Sequence, residues 1–104
     1  MAEIKLSSLV AAKLNELIFI LYENEYFGFF ESSLDYVQNL KDFIFSIPTL
    51  KFKQTINKQY GNFYCKYKHN TKTTWYVIFD IMDDKYLINN ITNNHSVEYS
   101  NLIL

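Results

Sequence analysis

The run TTWYVIFDIM, residues 73–82, constrains this chain more than any other stretch. It is rich in β-branched and aromatic side chains, which fit a pleated surface, and it reads as a central strand that needs neighbours on both edges and cover on its faces. Its neighbours lie close in sequence. Residues 62–68 alternate, with Phe63, Cys65 and Tyr67 on one face and Tyr64, Lys66 and Lys68 on the other, and HNTK at 69–72 is a turn. Asp83-Asp84 is a second turn, after which KYLINNIT, residues 85–92, returns. The three strands make an antiparallel meander.

The first half supplies the cover. Val10, Leu14, Leu17, Ile18 and Leu21 recur at helical spacing behind Ser7 or Ser8, either of which can cap, so a helix is predicted to about Tyr22 or Glu23. A turn at Gly28 follows. Leu34, Val37, Leu40, Ile44 and Ile47 then repeat every three or four residues until Pro48 ends the second helix or marks a point just beyond it. Residues 3–7, EIKLS, alternate and form a short first strand. The expected architecture is α+β, in the order β-α-α-β-β-β, with a two-helix hairpin packed on an antiparallel sheet. At 104 residues and 49% hydrophobic content the chain makes one domain, 1–104, with no room for a second.

Charge is unevenly spread. Residues 1–47 hold three Lys against seven acids, a net −4, and residues 48–104 hold seven Lys against four acids, a net +3. No acid stands between Asp42 and Asp80, where Lys51, Lys53, Lys58, Lys66, Lys68 and Lys72 all fall. Such a stretch is either a phosphate-facing surface or an ordinary solvated face. Every basic residue is Lys, so whatever the chain grips is gripped without the planar guanidinium fork that suits phosphate best. A single cysteine, Cys65, excludes an internal disulfide and fits a reducing compartment, with the cytoplasm as the default. Glu3, Lys5, Lys13 and Glu16 interrupt any signal-peptide core, and no stretch is long enough to span a membrane, so neither export nor insertion is expected.

The wording of three segments resembles the RelE/ParE superfamily of bacterial toxins, in the branch described as plasmid stabilisation proteins. These are YFGFFESSLDYV at 26–37, TTWYVIFD at 73–80 and YLINNITNNHSVEY at 86–99. The resemblance implies the toxin of a type II toxin–antitoxin module, a small growth inhibitor held silent by a cognate antitoxin protein. Members of the superfamily either cut mRNA on the ribosome without a metal or poison DNA gyrase without breaking bonds themselves. A toxin-like fold that has lost toxicity is a third reading.

Metal-free RNA cleavage needs a base for the 2′-hydroxyl, an acid for the leaving oxygen and positive charge for the phosphate. His95 is the acid/base candidate, since imidazole titrates near neutrality and related ribonucleases keep a histidine or tyrosine after the last strand; a packing role at the strand end is the alternative. Tyr99 is a second catalytic candidate, as donor or stacking ring. Lys72 is the third, standing close to where ribonuclease relatives place an arginine, and the absence of Arg counts against catalysis. Tyr64, Lys66 and Lys68 share one strand face, a ring with two charges, and are the candidate nucleic-acid contacts. Trp75 to Phe79 receive packing roles, His69 is read as a surface turn residue, and Cys65 as inert core. No Cys/His/Asp cluster has ligand spacing, so neither a metal nor another cofactor is expected.

Overall fold

The computed structural model describes residues 2–23 and 30–103, without the side chains of residues 30, 31, 101 and 102. The predicted turn at Gly28 lies outside the described residues. The elements are β1 (Glu3–Leu6), α1 (Ser8–Glu23), α2 (Phe30–Phe45), a 3-10 turn at Ile47–Thr49, β2 (Lys53–Gln54), β3 (Phe63–Lys68), β4 (Thr74–Met82), β5 (Lys85–Asn93) and α3 (Tyr99–Leu102). The five strands form one sheet in the order β1-β5-β4-β3-β2. β4 is central, flanked by antiparallel β3 and β5.

The expectation of a wholly antiparallel sheet needs correction. β1 pairs parallel with β5, Glu3 opposite Lys85 and Leu6 opposite Ile88, so the sheet is mixed. The reason is topological. A strand that feeds a helical hairpin returning over the sheet arrives at the edge running the same way as the last strand, a direction that alternation within the strand does not encode.

One sheet face carries the main core. Val10 and Leu14 of α1, with Val37, Leu40 and Ile44 of α2, pack on Cys65, Trp75, Val77, Phe79, Ile88 and Ile91. Ile88 and Ile91 lie three apart in one strand yet reach the same core, which strict alternation forbids. A bulge resolves this: Ile78 pairs with Asn90 and Phe79 with Ile88, leaving Asn89 as the extra residue. Leu34, expected in the helical stripe, is 40% exposed, and Ser33 takes the buried position instead.

The helix start and the bulge are coupled. Ser7 Oγ accepts the Val10 N–H at 3.1 Å, an N-cap bond that satisfies one orphan donor of α1. The same hydroxyl donates to the Asn89 carbonyl at 3.1 Å. Further along, Lys13 Nζ donates to Asn90 Oδ1 at 2.7 Å, to the Ile91 carbonyl at 3.1 Å and to Glu98 Oε1 at 3.0 Å. α1 therefore closes the part of the β5 edge that short β1 leaves open.

Among the described residues, Gly61 holds a position that the structure requires to be glycine. Its φ is +150°, and a Cβ there sits 2.7 Å from Cγ2 of the fully buried Ile78.

Candidate functional site: a lysine–tyrosine sheet face and a histidine cleft

The second sheet face is laid out by strand alternation. Tyr64 pairs with Ile78, Lys66 with Tyr76 and Lys68 with Thr74, so these six side chains stand on the side away from the helices. Lys53 pairs with Tyr64 and joins them. After β5 the chain folds α3 back onto this face, where Ile103 packs on Ile78 and Tyr99 joins Tyr64 and Tyr76. The rings form a row. Tyr64 and Tyr76 centroids are 6.1 Å apart, Tyr76 and Tyr99 5.0 Å, and the last two hydroxyls are 3.4 Å apart.

At the sheet edge beside Tyr64 is a hollow of about 370 Å³ lined by Lys51, Lys53, Tyr64 and Lys66, with Phe52 and Cys65 on its core side. All three of these lysines are exposed, as is Lys68. The carboxylate on this face, Asp80, is engaged: Oδ1 accepts the Asn62 main-chain N–H and side-chain amide, both at 2.8 Å, and Oδ2 accepts Asn89 Nδ2 at 2.8 Å. The surface therefore presents ammonium groups around phenol rings. Burial, and then the hydrogen bond with Tyr99, push the Tyr76 hydroxyl up to about 12, so it stays protonated at neutral pH and can donate, accept or stack.

His95 lies elsewhere. The end of β5 is pinned by asparagines: the His95 N–H donates to Asn93 Oδ1 at 2.8 Å, Asn94 Oδ1 accepts the Thr74 N–H at 3.0 Å, and Asn94 Nδ2 donates to the Lys72 carbonyl at 3.0 Å. This clamp turns His95 toward Thr73, whose Oγ1 is 3.2 Å from Nε2. There the imidazole borders a cleft of about 670 Å³ between α1 and the end of the sheet. Trp75 and Tyr36 line it, joined by a 2.9 Å hydrogen bond from Trp75 Nε1 to Tyr36 Oη, and burial raises the Tyr36 hydroxyl above the usual phenol value. His69 lines it as well. Its ring packs 4.1 Å from that of Tyr36, so the reading of His69 as a surface turn residue is corrected: it is half-buried and belongs to the cleft.

Of the residues singled out from sequence, Tyr64, Lys66, Lys68 and Tyr99 come together on the far face. Lys72 is exposed in the 69–73 turn, and its backbone is tied to the His95 segment through Asn94. Among the described residues, no hydrogen bond, ion pair or ring contact joins His95 to Lys66, Lys68, Tyr64 or Tyr99. Sequence reasoning gave Tyr76, the middle ring of the row, a packing role, and placed Lys51 and Lys53 in the basic stretch without singling them out as contacts. Period-two spacing reaches past β3 to His69, in phase with Cys65 and Tyr67, and was the available signal for its inward position. Cys65 is buried, as expected, and burial pushes its thiol up to about 11.

Comparisons with family models, curated proteins and solved structures found no match. No described helix is long and apolar enough to cross a membrane.

Proposed function

We propose that the chain is a growth-inhibiting toxin of the RelE/ParE kind that works by seating a single strand of mRNA on its lysine–tyrosine face. The observation that carries this reading is the row Tyr64, Tyr76, Tyr99 bordered by the exposed Lys51, Lys53, Lys66 and Lys68. Stacking rings tolerate any base and contribute about 1–3 kcal/mol each, while ammonium groups follow the phosphates. Four phosphate contacts give a log–log salt slope of about −2.8 for a single strand. The order of a strand, a helical hairpin and a meander, which the sequence resemblance implies, supports the reading at the level of fold alone.

The same face is better equipped to hold RNA than to cut it. Cleavage starts with deprotonation of a 2′-hydroxyl, and the row offers phenols and ammonium groups with no imidazole. In this reading the protein acts in the cytoplasm beside the ribosome, and its cognate antitoxin covers the lysine face with an acidic segment.

The test is expression from a tightly repressed promoter, with transcript 5′ ends mapped during arrest, for the parent, Lys53→Ala/Lys66→Ala and His95→Ala. The reading expects arrest in the parent and in His95→Ala, and growth in the double variant, whose exposed lysines are not needed for folding. New transcript ends that vanish in His95→Ala overturn the order of binding over cleavage. Arrest that survives the double variant points to a protein target such as DNA gyrase, and absence of arrest in the parent removes the toxin reading.

A further inference from the structure

The cleft on the opposite side of the sheet is unused by the function proposed above. It is a few hundred cubic ångströms in size, the range of small-molecule sites. Leu17, Ile20 and Leu21 of α1 form an apolar wall, and Trp75 and Tyr36 supply flat aromatic surface. Its polar groups converge at one place, where both histidines of the chain meet Thr73. Neither ring nitrogen of His69 nor Nδ1 of His95 has a hydrogen-bond partner among the described residues. Both residues are nonetheless held in place, His69 by its main-chain bond to the Thr73 carbonyl at 3.0 Å and its packing on Tyr36, His95 by Asn93 and Thr73.

Charge selects the ligand class. No carboxylate and no ammonium is among the described lining residues, and besides the imidazoles the one titratable group is the Tyr36 phenol, with Tyr67 packed behind His69 at 6.3 Å. Two carboxylates, Glu16 and Glu98, line an adjoining hollow; Glu98 is paired with Lys13 at 3.0 Å and Glu16 is exposed. Fixed, unpartnered imidazole nitrogens at the mouth of an apolar, aromatic-walled cleft suit a flat ring with an anionic substituent, the ring inside and the anion at the histidines.

We propose that the cleft between α1 and the end of the sheet binds a small planar aromatic anion, with Trp75 against the ring and His69 and His95 donating to the anionic group. A nucleoside monophosphate and an aromatic carboxylate share this chemistry, and the experiment separates them.

The chain reports on itself, having one tryptophan and two histidines. Titration with AMP, with indole-3-acetate and with uncharged indole is followed by Trp75 fluorescence and by the two imidazole C–H resonances in NMR. The expected result is saturation by AMP or indole-3-acetate with one constant across all three signals, and a weakening of about tenfold in His95→Gln, whose exposed position leaves folding intact. AMP alone saturating assigns the nucleotide class; indole-3-acetate saturating assigns aromatic anions broadly. No saturation at millimolar concentrations of either anion, or indole binding as tightly as indole-3-acetate, overturns the proposal. Lys53→Ala/Lys66→Ala leaves all of these signals unchanged, which keeps this result separate from the fate of the lysine–tyrosine face.

Discussion

Replacing Gly61 by alanine tests the packing argument most directly. Two costs add. The backbone at φ +150° belongs to a region that L-residues avoid, a strain of about 1–3 kcal/mol. The new methyl also stands 2.7 Å from Ile78 Cγ2, 3.1 Å from Asn89 Nδ2 and 3.4 Å from the Phe79 carbonyl oxygen. Ile78 is fully buried against Ile103 and cannot swing away, so overpacking adds about 1–3 kcal/mol. A loss near 3 kcal/mol lowers the melting temperature of a domain this size by about 12–24 °C. Urea unfolding of the single variants and of Gly61→Ala/Ile78→Ala completes the measurement. Removing Cγ2 relieves the clash while leaving the backbone strain, so the double variant loses at least about 1 kcal/mol less than the sum of the singles. A Gly61→Ala cost under about 1 kcal/mol, or strict additivity with Ile78→Ala, refutes the reasoning.

Three further outcomes are expected. Lys13→Met removes charged donors from Asn90 and the Ile91 carbonyl and costs about 1–3 kcal/mol by urea midpoint, whereas Glu98→Gln, touching the half-exposed partner of an ion pair, costs under about 1 kcal/mol; equal losses contradict this. Asn94→Ala unties the 72–74 segment from the end of β5, at about 1 kcal/mol, and speeds hydrogen exchange at the Thr74 amide while leaving the Val77 amide protected. Cys65 and Tyr76 hold their protons more tightly when folded, to about 11 and 12 against 9.0 and 10.0 ordinarily, so the folded state binds more protons in that range. Their contribution is complete below pH 9 and is lost as pH rises through 12, giving a urea midpoint that falls over that interval, and the folded thiol does not react with an aromatic disulfide reagent at pH 8.

Local patterning carried most of the fold. Helical spacing located both helices, and alternation located Phe63–Lys68 with Cys65 inward and Tyr64, Lys66 outward, because each pattern reports burial of one face. The partner of β1 was not legible, since five alternating residues specify a face but no neighbour or direction. The bulge at Asn89 left a trace in the three-residue spacing of Ile88 and Ile91, a mismatch with period two that only an extra residue can absorb. For the candidate site the limit was three-dimensional. Tyr64, Lys66 and Lys68 could be grouped from one strand, but adding Tyr76 needed the register with β4, and separating His95 from them needed the turn that Asn93 and Asn94 impose.

The parallel pairing of β1 with β5 also governs when the chain can fold. Glu3 meets Lys85, so the first strand waits for a partner some eighty residues downstream, and Ser7 cannot complete its bond to Asn89 until the last strand has left the ribosome. Loop closure over that distance comes before any reward from the edge pairing, which sets it among the late steps. During synthesis the helical hairpin is born with no sheet to cover, its apolar stripes exposed to chaperones or to a partner already at hand. Sheet assembly, and with it both the lysine–tyrosine face and the histidine cleft, waits for Lys85–Asn93 to emerge.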